Sequence, residues 1–154
     1  YDDITQIALG AEHTCVLRSE KVECFGSNLE KQLGINSNEE TFIKPGTAVS
    51  LNVGVKQVAT GAKYTCALTD KNEIQCWGKL SMSKTSDSLV SNPVTIKFPS
   101  EVDLSSATLV TSYNHSCVRT GRDIYCWGSN DRNQVSPHSS KDEILIPLKV
   151  ELLK

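Results

Sequence analysis

The chain predicts an all-β fold of three antiparallel sheets with four strands each, and three observations carry that expectation. Apolar and polar residues alternate with period two through short runs, and no stretch sustains the longer apolar period of a helix. The six cysteines fall into pairs, Cys15 with Cys24, Cys66 with Cys76 and Cys117 with Cys126, whose first members recur every 51 residues. Their neighbours recur too, as His13-Thr14-Cys15, Tyr64-Thr65-Cys66 and His115-Ser116-Cys117, then Cys24-Phe25-Gly26, Cys76-Trp77-Gly78 and Cys126-Trp127-Gly128. A repeat near fifty residues marks units that stack as propeller blades or arrays, because one unit cannot bury its apolar faces alone.

Within the first unit, 4–10, 14–17, 22–26 and about 48–51 read as strands bounded by turn residues. The second repeats them at 55–61, 65–68, 74–78 and 94–98, and the third at 107–112, 116–118, 124–128 and 148–152. Pro45, Pro93 and Pro147 precede the fourth strand of each unit, which marks that strand as the outer edge, where a missing N–H is tolerated.

The cysteine spacing separates the available chemistries. Zinc ligands stand closer together in sequence and bring histidines at matching short spacing, which is absent here. If Cys15 faces Cys24 across a hairpin, the register closes on the two-residue turn Ser19-Glu20; the third unit closes on Gly121-Arg122, and one inserted residue gives the second unit the turn Asp70-Lys71-Asn72. Opposed residues of this kind lie within disulfide reach. Three intra-blade disulfides are therefore expected, with reduced structural thiols as the alternative, and bridges of this kind persist in oxidising compartments.

With 154 residues and 38% hydrophobic content, the chain is expected to form a single segment over 1–154, with blades at about 1–53, 54–104 and 105–154. A formal net charge of −2, with Lys and Arg scattered, provides no basic stripe for nucleic acid. No run approaches the roughly 18 apolar residues of a membrane helix. The expected setting is secreted, cell-surface or periplasmic, and no cofactor or metal is expected.

The residues resemble the repeats named after the regulator of chromosome condensation, whose blades run close to V-x-x-V-A-x-G-x-x-H-T-C-A-L and then V-x-C-W-G-x-N-x-x-G-Q-L-G. The resemblance is carried by Ile4-Thr5-Gln6-Ile7-Ala8-Leu9-Gly10, by Val55-Lys56-Gln57-Val58-Ala59-Thr60-Gly61, and by Gly26-Ser27-Asn28 with Gln32-Leu33-Gly34. It implies a β-propeller of four-stranded blades, commonly about seven, with cysteine-paired forms similar to those of secreted bacterial proteins. It also implies binding functions such as nucleotide exchange on a small GTPase, nucleosome binding or β-lactamase inhibition. The chain departs from the pattern at Ser112, Tyr64 and Phe25, where glycine, histidine and tryptophan are usual, and at Lys79-Leu80-Ser81. Arg119 replaces the apolar residue of Leu17 and Leu68, which puts a charge on an otherwise apolar face unless it is paired or lies at an open surface.

Three blades do not close a ring. The expectation is a propeller completed by oligomerisation, with six blades from two chains, or by further blades, either as a segment of a longer propeller or by pairing with another chain. His13 and His115 read as hydrogen-bonding groups within their blade, and Trp77, Trp127 and Phe25 as packing between blades. The connections before the outer strands, 35–44, 79–92 and 129–146, differ most between units, and recognition is usually placed in such loops. Within them Phe42, Met82, Leu89, Arg132 and His138 are the expected partner anchors. The function expected is a non-catalytic extracellular recognition module with a protein partner; a carbohydrate-binding adhesin is the alternative, and a propeller lyase or hydrolase finds no supporting grouping of catalytic residues.

Overall fold

The computed structural model of the chain describes residues 3–35, 37, 39–42, 49, 51–80 and 89–151. Twelve strands are described, in three antiparallel sheets of four that follow chain order. The first blade holds β1 (Ile4–Leu9), β2 (His13–Arg18), β3 (Lys21–Ser27) and β4 (Thr41–Phe42). The second holds β5 (Val55–Thr60), β6 (Tyr64–Thr69), β7 (Ile74–Lys79) and β8 (Leu89–Thr95). The third holds β9 (Thr108–Thr111), β10 (His115–Thr120), β11 (Asp123–Ser129) and β12 (Glu143–Lys149).

The central hairpins have the predicted register, with Cys15 opposite Cys24, Cys66 opposite Cys76 and Cys117 opposite Cys126. All three pairs are disulfide-bonded, at a Cα–Cα distance of 4.1 Å, slightly closer than most bridges because directly opposed antiparallel residues approach this nearly. Ser19 and Glu20 both adopt positive φ, 47° and 62°, the two-residue turn whose twist matches its strands. Gly121 starts the third hairpin turn at φ 56°, and Asn72 closes the three-residue turn of the second at φ 61°.

The outer strands lie earlier than expected. They begin at Thr41, Leu89 and Glu143, not near 48, 94 and 148. Pro93 and Pro147 consequently lie inside β8 and β12, not before them, while Pro45 lies outside the described residues. The reason is a bulge. Cys76 pairs with Val94 but Gly78 with Val90, so three residues of β8 stand opposite Trp77 alone; Cys126 pairs with Leu148 and Gly128 with Ile144, the same jump opposite Trp127. A bulged edge strand leaves an N–H unpaired, and a proline there gives up nothing. The N–H groups of Val49, Ile96 and Val150 donate to the carbonyls of Val22, Ile74 and Ile124 respectively, an equivalent bond in all three blades.

The blades stack face to face in order. The cysteine face of the first, Cys15, Leu17, Val22 and Cys24, packs with Val55, Val58, Ala67 and Trp77 of the second. The cysteine face of the second, Cys66, Leu68, Ile74 and Cys76, packs with Leu109, Val118, Tyr125 and Trp127 of the third. Phe98, on the connection between those blades, meets Tyr125 and Trp127 edge-on, with ring centroids 6.2 and 5.6 Å apart. Each buried Leu, Ile or Val in these junctions contributes about 1.5–3 kcal/mol.

Among the described residues no further blade covers the two ends of the stack. Ile4 and Ile7, at the positions of buried Val55 and Val58, are 56% and 61% exposed. On the last blade Val110 and Leu148 are exposed, and Arg119 occupies the register of Leu17 and Leu68 in the open, one of the settings the sequence allows.

Candidate functional site

Two of the three β-strand connections before the outer strand share one internal architecture despite unlike sequences. In the first blade Asn28 Oδ1 accepts the Leu33 N–H at 3.2 Å, and Gln32 Oε1 accepts the Glu30 N–H at 2.9 Å. In the third, Asn130 Oδ1 accepts the N–H groups of Val135 and Ser136 at 3.0 and 2.8 Å, and Gln134 Oε1 accepts the Arg132 N–H at 2.8 Å. Lys31 and Asn133 take the same left-handed φ, 61° and 58°. Both Asn amides then reach across to hold the returning strand, at Glu39 O and Lys141 O. In the second blade Leu80 replaces the Asn, and its side chain packs into the second junction. A cavity of about 150 Å³ lies there, bordered by Tyr64, the Cys66–Cys76 bridge, Leu80 and Trp127.

The first of these loops is pinned to the following blade. The Gln32 carbonyl accepts from Trp77 Nε1 at 3.0 Å and from Thr65 Oγ1 at 2.9 Å. Gly34, at φ +68°, lies so close to Trp77 that a Cβ there would come within 2.6 Å of Nε1. Glu30 meets Lys63 at 2.9 Å and Lys79 at 3.8 Å, and its hydrogen bond and charge hold the Lys63 ammonium above its ordinary pKa.

Side chains at repeated positions join neighbouring blades. His13 Nε2 lies 2.8 Å from Thr65 Oγ1; because that hydroxyl donates to Gln32 O, His13 must be the donor, which sets a neutral imidazole with hydrogen on Nε2. Burial pushes the His13 pKa down to about 4. At the next junction Tyr64 donates its hydroxyl to His115 O at 2.8 Å and lies 2.8 Å from Ser116 Oγ, and burial lifts its phenol to about 12. Gln6 brackets the backbone of Val58 through both amide atoms, at 2.8 and 3.0 Å, and Gln57 does the same to Leu109 at 2.6 and 2.9 Å. The expectation that His13 bonds within its own blade is thus corrected: its partner is in the next one. Sequence reading missed Gln6, Gln57 and Thr65, although their repetition every 51 residues was the available signal.

The expected anchors are dispersed over the loop end of the blades. Phe42 pairs with Gly26 in the first outer strand, and Leu89 pairs with Lys79 in the second, at the position Thr41 holds in the first, where it is 47% exposed. Arg132 projects from the third loop with its side chain 87% exposed beside Asp131, and His138 is exposed farther along the same loop. Met82 lies outside the described residues. Among the described residues no group of three or more His, Cys, Asp or Glu is placed to hold a metal, and no helix is long and apolar enough to cross a membrane.

Residues 55–79 match the family model described as the Regulator of chromosome condensation (RCC1) repeat. The chain is 27% identical to the Ultraviolet-B receptor UVR8 of Arabidopsis thaliana over 97% of its own length and 34% of the relative's. It is 29% identical to the Regulator of chromosome condensation of Xenopus laevis, over 87% of its length and 32% of that protein. The chain therefore spans about a third of the curated relatives it matches. Among solved structures, Prp20p of Saccharomyces cerevisiae superposes with a TM-score of 0.81 at 24% identity, covering 99% of this chain and 40% of that one.

Proposed function

We propose that this chain, whose blades are similar to RCC1 repeats, is part of a β-propeller that serves as a non-catalytic protein-recognition module. Its loop end faces the partner. The observation that carries this reading is the pair of loops built on one hydrogen-bonded frame, 28–34 and 130–136, whose exposed residues differ completely. A rigid frame with variable tips is the arrangement by which scaffolds acquire binding specificity. Prp20p is described as binding Gsp1p and histones; protein binding, without either of those partners, is the part we extend to this chain.

Three disulfides favour an oxidising compartment, and we propose a secreted, cell-surface or periplasmic setting. A net charge of −2 gives no reason for nucleic-acid contact. The open ends of the blade stack are completed by a second copy or by further blades.

The oxidised chain is immobilised and exposed to proteins of its own extracellular or periplasmic fraction, in parallel with a variant carrying Leu89→Ala, Arg132→Ala and His138→Ala. One stoichiometric protein captured by the parent and lost by the variant supports the reading. Binding confined to a glycan array, or turnover abolished by a channel-lining substitution, would replace it.

A further inference from the structure

We propose that the cavity between the second and third blades receives an apolar, leucine-sized side chain from an extended segment of a protein partner, whose preceding main-chain carbonyl accepts the Trp127 indole N–H. This site rests on the recognition reading above and deepens it by naming what one part of the surface takes. Both blades that wall the cavity belong to the chain, so the site is independent of whatever adjoins the first and third blades.

The first junction supplies the template for the occupant. There the chain's own loop fills the equivalent space: Gln32 O accepts from Trp77 Nε1 at 3.0 Å and from Thr65 Oγ1 at 2.9 Å. The next side chain, Leu33, is fully buried in one cluster with Cys15, Cys24 and Trp77. The second junction repeats the receiving wall, with Trp127 at the register of Trp77, Ser116 at that of Thr65, and the Cys66–Cys76 bridge at that of Cys15–Cys24. The connection on this side runs only over 80–88, against 28–40 and 130–142 in the other blades, and its sequence has no counterpart of Gln32-Leu33-Gly34. Among the described residues no oxygen accepts from Trp127 Nε1, although Trp127 is only 7% exposed and borders the cavity of about 150 Å³. A buried N–H without an acceptor carries a desolvation cost that an incoming carbonyl relieves.

The walls set the chemistry of the occupant. Leu80, Ile96, Ile144 and the bridge make them mostly apolar, and the hydroxyls of Tyr64 and Ser116 are engaged with each other. An apolar space of this volume accommodates a group of about benzene size. An aliphatic side chain beside a peptide carbonyl therefore satisfies both the space and the indole donor.

The rim is apolar as well. In the outer strand of the third blade Leu145 and Ile146 hold the positions of Ser91 and Asn92 in the second, and they are 71% and 64% exposed. Leu145 borders the cavity directly. Asn92 is exposed in a blade flanked on both sides, so exposure at Ile146 belongs to the position and not to the end of the stack. Large apolar side chains where the neighbouring blade has polar ones mark a contact surface around a pocket.

The test uses the oxidised chain labelled with nitrogen-15, whose two tryptophans give two indole N–H signals, and a synthetic peptide copying residues 28–35, the segment that supplies the plug of the first junction. Trp127→Phe identifies the Trp127 signal by deleting it. Added peptide should shift the Trp127 signal saturably and leave the Trp77 signal in place, since Gln32 O already holds that indole. The same peptide carrying Leu33→Ser should bind at least about tenfold more weakly. Leu145→Lys in the chain should weaken binding of the parent peptide to a similar extent; its exposed position leaves folding intact, and the dispersion of the amide signals verifies this. A Trp127 signal that stays still at millimolar peptide overturns the proposal, as does equal binding of the serine peptide. Binding that emerges only in Met82→Ser assigns the cavity to the chain's own Met82 and overturns it too. A negative result here leaves the recognition reading standing, because Leu89, Arg132 and His138 lie outside the cavity wall and their triple variant tests that reading separately.

Discussion

Tyr64 Oη lies 2.8 Å from Ser116 Oγ across the second junction, at the position where His13 meets Thr65 across the first. One hydroxyl and one imidazole perform the same task 51 residues apart. Tyr64 also donates to the His115 carbonyl at 2.8 Å, so its single hydrogen and a lone pair are both used.

Tyr64→Phe should therefore destabilise the chain by about 1–3 kcal/mol, because Ser116 is left buried without a partner. Urea unfolding monitored by tryptophan fluorescence measures this. Adding Ser116→Ala should restore part of the loss, since both polar ends are then removed.

The His13 imidazole makes acid stability specific. Its folded pKa of about 4 lies below the ordinary value of 6.5, so the unfolded chain binds the proton more readily. The contribution is fully present above about pH 6.5 and is lost as pH falls toward 4, by about 3 kcal/mol at 1.36 kcal/mol per pKa unit. His13→Gln should flatten the stability profile between pH 6.5 and 5, above the range where ordinary carboxylates titrate.

The Gln57 amide holds both backbone groups of Leu109, a residue 1% exposed. Gln57→Ala should cost about 2 kcal/mol, and the more specific readout is hydrogen exchange. Protection of the Leu109 amide should fall while that of the Val58 amide, held by Gln6, stays unchanged.

The disulfides differ in cover. Cys66 and Cys76 are 0% and 1% exposed between two blades, whereas Cys117 is half-buried on the open face of the third. Mild reduction under native conditions followed by alkylation should label Cys117 and Cys126 first, as peptide mapping would show. Replacing the Cys66–Cys76 pair by alanines should remove up to about 3 kcal/mol.

The short-range structure was legible in the sequence. The three hairpins, their disulfides and their turns each span about a dozen residues, and turn chemistry plus alternation leave one register for them. Two kinds of feature were not legible. The outer strands follow long connections that transmit no register, and Pro93 and Pro147 look like strand boundaries until the bulges opposite Trp77 and Trp127 are seen. The anchors Phe42, Leu89, Arg132 and His138 followed from loop variability, which places them at one end of the blades but assigns none a partner.

By itself, then, the sequence determined the three inner strands of each repeat unit, because the contacts that define them join residues close along the chain. Only the tertiary structure decided what His13, Tyr64, Gln6 and Gln57 hold, since their partners lie 51 or 52 positions away. Each is chosen by how one sheet rotates onto the next, a packing outcome of many side chains together that no local pattern encodes.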